Sequence, residues 1–296
     1  MNADAPEARR SSRRSSSRSS SRSSSWSSDG VYLALDTSTR VGSVCVAVGT
    51  AVQACEILDK PGAHASELVP TIREVLDRAG VDVSEVTGIV VGSGPGSFTG
   101  VRVAAATAKG LCRALEIPLW AVSSLEAGAA SLAVGGATLG VVGRAPLGVV
   151  GRAPLGAVGR PTLGEFATAE VSSDEMARPR YVLFDARSDR VYAACYVPRD
   201  GGLDELIAPH ATTIGELLAA DLPLCNFVGD GAHAHSDQIV GAGFPVLPAP
   251  AGTPSAEGLV ALVGRPPARA PVGDVARWEP DYLRPSSAER LAASKR

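Results

Sequence analysis

Three short stretches of the sequence hold residue types that can handle phosphate. GSGPGSFTG (92–100) sets four glycines and a proline directly after the apolar run GIVV. Free N–H groups at such a strand–loop–helix junction can receive an anion. DTST (36–39) follows another apolar run. There Asp36 could hold a water or a metal–phosphate, and Thr37 and Ser38 could donate to phosphate oxygens. GDGA (229–232) could pass beneath an adenosine or phosphate through Gly229, Asp230 and Gly231. Asp36 and Asp185 sit at matching places in two similar stretches and could act as paired carboxylates across a cleft. Each feature also has a plainer reading: glycines at positive φ in a tight turn, and Asp and Ser closing hairpins. Residue types alone leave both readings open.

Pattern tests narrow the first loop. No Lys follows its glycines, as a Walker A loop requires, and Ser97 or Thr99 stands where the last Gly of GxGxxG belongs. The GxSxG nucleophile elbow is absent as well. The four histidines, His64, His210, His233 and His235, form neither HxxxH nor HExxH, so the sequence carries no metal-site expectation.

The residues after the loop suggest a surface instead. Gly100, Ala104, Ala108 and Cys112 recur every four positions, a smooth ridge that another helix can approach closely. Val101, Ala105, Leu111 and Leu115 flank it. In the preceding helical stretch Leu68, Ile72, Val75, Leu76 and Ala79 share one face, and Val69 lies off it. A candidate partner interface therefore comprises Leu68, Val69, Ile72, Gly100, Val101, Ala104, Ala108, Leu111 and Cys112. Packing within one domain is the alternative.

The elements that must position these residues are legible. VYLALDTS (31–38), GSVCVAVG (42–49) and AVQACEIL (51–58) read as a three-strand antiparallel meander. ELVPTIREVLDRAG (67–80) has helical period and stops at Gly80. VTGIVVG (86–92) is a wholly apolar buried strand. A helix follows the glycine loop and ends by Pro118. PLWAV (118–122) is a strand, and SSLEAGAASLA opens a helix capped by Ser123 or Ser124. RYVLFDAR (180–187) and DRVYAACYV (189–197) form a hairpin, and LCNFVGDGA (224–232) is a strand leading through a glycine turn into a helix. YLALDTSTRVGSVCVAV and YVLFDARSDRVYAACYV run in parallel, so the chain reads as α/β with two related lobes, each βββαβα, and a cleft between them.

Four regions result. Residues 1–29 are a disordered Arg/Ser-rich tail, including SSRRSSSRSSSRSSSWSS (11–28), which cannot bury enough apolar surface to order itself. It could touch RNA or an acidic surface weakly, and Val31 is a candidate alternative start. Residues 30–126 are the first lobe. Residues 127–179 are a low-complexity linker in which LGVVGRAP occurs at 139–146 and 147–154 and LGAVGRPT follows at 155–162. A period of eight is too short for a structural repeat unit. Residues 180–296 are the second lobe and C-terminal segment.

The 296 residues are 45% hydrophobic but only 4% aromatic, so the core rests on Ala, Val and Leu. A net charge of -3 argues against a dedicated nucleic-acid binder. Six Arg near the start sit ahead of an acidic body. Five cysteines without CxxC pairs read as reduced, buried thiols of a cytoplasmic protein, with neither a membrane span nor a secretory signal in the pattern.

LALDTST, His64 ahead of SELVPTI, GSGPGSFTGVR, VSSLEA, FDAR…VY, VGDGA and PDYLR, in that order, resemble the bacterial TsaB family over about residues 31–126 and 180–285. The resemblance implies an actin-like ATPase (ASKHA) superfamily fold of two ribonuclease-H-like lobes with mixed sheets. It implies a non-catalytic dimerisation subunit of the complex that makes N6-threonylcarbamoyladenosine in tRNA. It further implies pairing with the catalytic subunit TsaD through helices near 65–79 and 100–115, joining by the ATPase TsaE, a homodimer through the same surface, and only indirect contact with tRNA. No cofactor of its own is implied, ATP belonging at a shared interface. TsaD carries an HxxxH motif that this sequence lacks, and nothing here supports the peptidase chemistry of an older glycoprotease grouping. The Arg/Ser tail, the repeats and Arg190, where family members often have an acid, depart from the pattern. A kinase or ATPase of the same superfamily, using Asp36, Thr37 and GDGA, is the alternative.

Overall fold

A computed structural model describes residues 25–60, 62, 64–131, 177–199, 202–265 and 268–283. The repeats and most of the expected tail and linker lie outside these residues. The chain begins with β1 (Val31–Asp36), β2 (Gly42–Val48) and β3 (Ala51–Leu58), the expected meander. Helix α1 (His64–Ala79) starts three residues before its apolar pattern does and ends at Gly80, whose φ is +66°. After β4 (Gly88–Gly92) come α2 (Phe98–Leu115), β5 (Leu119–Val122) and α3 (Ser124–Ala130). Glu116 takes the left-handed conformation that closes α2.

The first sheet has the order β3-β2-β1-β4-β5, antiparallel through the meander and parallel from β1 to β4 and from β4 to β5. Strand alternation divides its core. Leu33, Leu35, Val44 and Val46 pack against α1 and α2, while Tyr32, Ala34, Cys45 and Ala47 form the opposite face.

The second sheet repeats the plan with β6 (Arg180–Asp185), β7 (Arg190–Arg199), β8 (Gly202–Thr213) and β9 (Asn226–Val228) in the order β8-β7-β6-β9. A single parallel bridge from Phe227 to Val246 stands where the first lobe has β5. Helix α4 (Ile214–Leu218) carries a capping box, and α5 (Asp230–Ala234) and α6 (Ser236–Gly241) follow β9. The duplication read from the two hairpin sequences is thus a duplication of topology. Strand β8 was not legible, because LDELIAPHA alternates poorly.

Two segments fall elsewhere than expected. Helix α7 (Ala256–Val263) and residues 268–283 return from the second lobe to the first. Ala256, Leu259, Val260 and Val263 cover the Tyr32–Cys45 face, and Val272, Val275 and Trp278 pack against the α1/α2 side. At the other end, Trp26 stacks on Tyr32 with ring centres 3.6 Å apart and meets Trp120 edge-on, so the last residues of the expected tail belong to the first lobe. Aromatic stacking, invisible in the Ser-rich composition, anchors it. Among the described residues no helix is long and apolar enough to cross a membrane.

The β6–β7 turn holds Arg187, Ser188 and Asp189 at φ of 63°, 55° and 56°, three successive left-handed residues that are not glycine. Each costs about 1–2 kcal/mol for an L-residue. Ser188→Gly should stabilise the chain by about 0.5–1 kcal/mol, since relief of the Cβ clash outweighs the extra backbone entropy. Thermal unfolding should show Tm higher by about 2 °C; an unchanged or lower Tm would contradict this strain.

Candidate functional site

Asp36, at the end of β1, is fully buried. One carboxylate oxygen accepts from the Ser38 N–H at 2.7 Å and from the Ser38 hydroxyl at 2.6 Å. The other accepts from the Ser124 hydroxyl at 2.7 Å. Ser124 in turn accepts from the Gly94 N–H at 3.2 Å, and its own N–H donates to the Gly94 carbonyl at 2.8 Å. The DTST turn and the start of α3 are therefore joined through the glycine loop. Ser123 occupies the cap position of α3 but makes no side-chain cap bond, while Ser124 serves Asp36.

The glycine loop closes over DTST from above. Thr37 donates its hydroxyl to the Gly100 carbonyl at 2.6 Å, and the Ser97 N–H donates to the Ser38 carbonyl at 2.6 Å. A Cβ on Gly92 would overlap the Asp36 carboxylate, and one on Gly100 would overlap the Thr37 carbonyl. Glycine is required at both places by close approach of the two loops. The Ser97 hydroxyl accepts from the Gly100 N–H at 3.3 Å and so caps α2.

The second lobe's candidates lie apart from these. Asp185 is exposed and accepts from the Arg187 N–H at 2.7 Å, and its own N–H donates to Asp230 at 3.1 Å. The structure pairs Asp185 with Asp230. Each Asp36 oxygen is occupied by Ser38 or Ser124. Although Asp230 keeps an exposed surface, partial desolvation of its carboxyl among the surrounding loops pushes it above its ordinary pKa and the nearby Asp185 charge adds to this, against N–H donors from Asp185 and Gly231 and the His233 ring. Gly229 turns the chain at φ +98° into α5, and its N–H donates to the Ala251 carbonyl at 3.0 Å. Between the lobes Arg180, buried on β6, donates to the Ala129 carbonyl of α3 at 2.6 Å, and burial lowers its pKa to about 10.

The expected partner face is largely internal. Leu68, Ile72, Gly100, Val101, Ala104, Ala108 and Cys112 are all buried within the chain. Ala104 and Ala108 are 0% exposed and, with Leu68, Ile72 and Cys112, pack against the first sheet. Burial pushes the Cys112 thiol up to about 12. Small residues every four positions do allow a close approach, but here their own sheet makes it. Of the candidates only Val69, 47% exposed, opens to solvent, with Leu111 half-buried.

Of what stands out on the surface of these helices, the sequence marks only Arg102, in the GSGPGSFTGVR stretch that carries the resemblance. Phe98 is 40% exposed and Tyr282, from the returning C-terminal segment, is 39% exposed. Arg102 lies over the Phe98 ring at 3.8 Å and the Tyr282 ring at 5.4 Å, and its Nε donates to the Tyr282 hydroxyl at 3.2 Å. The segment holding Tyr282 is tied to the glycine loop. The Asp281 N–H donates to the Ser93 carbonyl at 2.8 Å, and the Ser93 hydroxyl donates to the Asp281 carboxylate at 2.6 Å. Lys109 donates to the carbonyls of Ala276 and Trp278 at 2.9 and 2.8 Å. PDYLR drew notice only as part of a resemblance. Among the described residues, no three or more His, Cys, Asp or Glu side chains lie together in a way that could hold a metal.

Comparison with known proteins agrees with this architecture. The family model described as "TsaD: tRNA N6-adenosine threonylcarbamoyltransferase" matches residues 60–148. The chain is 39% identical over 98 residues to the tRNA threonylcarbamoyladenosine biosynthesis protein TsaB of Haemophilus influenzae, which covers 33% of this chain and 41% of that protein. The Escherichia coli protein of the same name is 33% identical over 97 residues, 31% of this chain and 40% of that one. The chain thus spans about two fifths of the length of these curated relatives (41% and 40%). A solved Pseudomonas aeruginosa structure, described as an uncharacterized protein with similarity to peptidase YeaZ, superposes with a TM-score of 0.63 at 28% identity. It covers 86% of this chain and 100% of its own. Two lobes sharing one strand order, with the chain crossing back between them, define a protein of the actin-like ATPase (ASKHA) superfamily. Within it, this chain is similar to the TsaB proteins of Haemophilus influenzae and Escherichia coli over about a third of its length.

Proposed function

We propose that this chain acts in the synthesis of N6-threonylcarbamoyladenosine in tRNA, as a non-catalytic scaffold that heterodimerises with the catalytic subunit TsaD. The names of its relatives support the pathway. The scaffold role rests on one observation: the groups that would handle phosphate in the first lobe bond to each other. Asp36 is held by Ser38 and Ser124, and Thr37 by Gly100. The partner face is the exposed edge of α1 and α2, carried by Val69, Phe98 and Arg102 and extended by Tyr282. TsaE and a second copy of the chain are further partners on this reading, tRNA is reached through the complex, and the compartment is the cytoplasm.

Pull-down from native extract, with partners identified by mass spectrometry, tests this. The wild-type chain should retain a threonylcarbamoyltransferase catalytic subunit. Val69→Arg with Phe98→Ala should weaken retention by about 30-fold, the loss expected when an aromatic anchor of an interface is truncated. Both side chains are surface-exposed, so the circular dichroism spectrum should be unchanged. Undiminished retention by the folded double variant would overturn this face. The adjacent Asp185 and Asp230 favour a second reading, an ATP-using enzyme of the same superfamily. Micromolar ATP–Mg affinity with turnover by the isolated chain would establish it in place of the first.

A further inference from the structure

The meander brings together two cysteines that no part of the foregoing uses. Cys45 of β2 and Cys55 of β3 are direct antiparallel partners in the ladder. Partners in such a pair point to the same face of the sheet with Cβ atoms about 4.5–5.5 Å apart, so closing a bond draws them together by about 1 Å. Their Cα separation, about 4.5–5.5 Å for any antiparallel pair, lies within the range a disulfide spans. Both are free thiols here. Cys45 and, from the facing helix α7, Glu257 are the side chains that act on the Cys55 thiol. Cys45 is fully buried beside Tyr32, Ala34 and Ala47, while Cys55, on the edge strand, is the less buried of the two. The pair therefore has one sulfur nearer the sheet edge and one held behind it. The other three cysteines lack this arrangement: Cys112, Cys195 and Cys225 are each buried in an apolar cluster.

We propose that Cys45 and Cys55 are a redox-active dithiol that closes to an intrachain cross-strand disulfide by exchange with a low-molecular-weight disulfide. Cys55, as thiolate, attacks one sulfur of the small disulfide. This forms a mixed disulfide and releases one small thiol, which takes the proton from Cys55. Cys45 then attacks the Cys55 sulfur and displaces the second small thiol, which leaves with the proton from Cys45. Two protein thiols are oxidised and one small disulfide is reduced to two thiols. The neighbouring Cys45 thiol, then burial and Glu257, hold the Cys55 thiol well above its ordinary pKa. Exchange is accordingly slow at neutral pH, and the pair responds to sustained oxidising conditions rather than brief ones. The bond would form beneath α7, on the face of the sheet opposite α1 and α2, so the proposal stands whether or not the partner reading does.

The test uses the full reduced chain incubated with oxidised glutathione at mildly alkaline pH, then alkylated in denaturant and measured by intact mass and peptide mapping. The expected product is a single chain lighter by about 2 Da before alkylation, with Cys45 joined to Cys55 and Cys112, Cys195 and Cys225 alkylated. Cys45→Ala should instead trap Cys55 as a stable glutathione adduct. Cys55→Ser should take up no glutathione and form no link. Alkylation of all five thiols, a bridge between two chains, or a wild-type glutathione adduct that never resolves would each overturn the proposal. If Cys55→Ser does not fold, the Cys45→Ala adduct and the wild-type peptide map decide the matter by themselves.

Discussion

Asp36→Ala should cost the fold at least about 3 kcal/mol, seen as a Tm lower by roughly 8 °C or more. The carboxylate is fully buried and accepts from the Ser38 N–H, the Ser38 hydroxyl and the Ser124 hydroxyl. Its removal strands donors where water cannot reach, and each buried unpaired polar group costs about 1–3 kcal/mol. The damage should spread along the chain of contacts, because Ser124 also holds Gly94. Asp36→Asn keeps an acceptor oxygen and nearly the same shape, so its loss should be about half as large. A carboxylate kept for a ligand would behave in the opposite way. Its alanine variant would melt like the wild type, or higher, and the defect would appear only in binding. Thermal unfolding of the three proteins separates these outcomes.

Ala108→Arg should leave little folded protein. Ala108 is 0% exposed and packs with Ala104 and Cys112 against the first sheet. An arginine there must force α2 from β4 or bury a guanidinium without a partner; together these exceed about 4–5 kcal/mol, enough to exhaust a typical domain's stability. Soluble yield and the far-ultraviolet circular dichroism spectrum should both collapse, while Val69→Arg on the neighbouring helix should leave them intact. A soluble, folded Ala108→Arg chain would mean that the small-residue ridge is open and built for a partner helix.

That contrast shows how far sequence pattern reaches. The i, i+4 spacing of Gly100, Ala104, Ala108 and Cys112 states that something comes close to α2. It is silent on whether that neighbour is a sheet of the same chain or another molecule. The burial of all four gives the answer. The glycine loop is a similar case. Its failure to match Walker A and GxGxxG was legible residue by residue, and so was its place at a strand–helix junction. Its tight seat on DTST was not, since Gly92 and Gly100 approach Asp36 and Thr37 from more than fifty positions away in the chain. Local pattern carries no information on such contacts. The same limit applies to the C-terminal segment. Nothing in PDYLR announces that Asp281 would bond Ser93, or that Tyr282 would share Arg102 with Phe98.

By itself the sequence determined the meander, the buried β4, the place of α2 after the glycine loop and the second hairpin, because period, glycine and proline act within a few residues. It also determined the duplication, because two hairpins of like pattern must pair alike, and the sheets share one order as far as β9. Only the tertiary structure decided which faces are inside. It joined Asp36, Thr37 and Ser38 to Ser124 and Gly100 in a buried network, set Asp185 against Asp230, and carried α7 and the last described residues back to the first lobe. The physical reason is common to all of these. Burial and hydrogen bonding between distant residues depend on how whole elements stack, and that stacking is chosen by the total apolar surface to be covered, a quantity no short stretch contains.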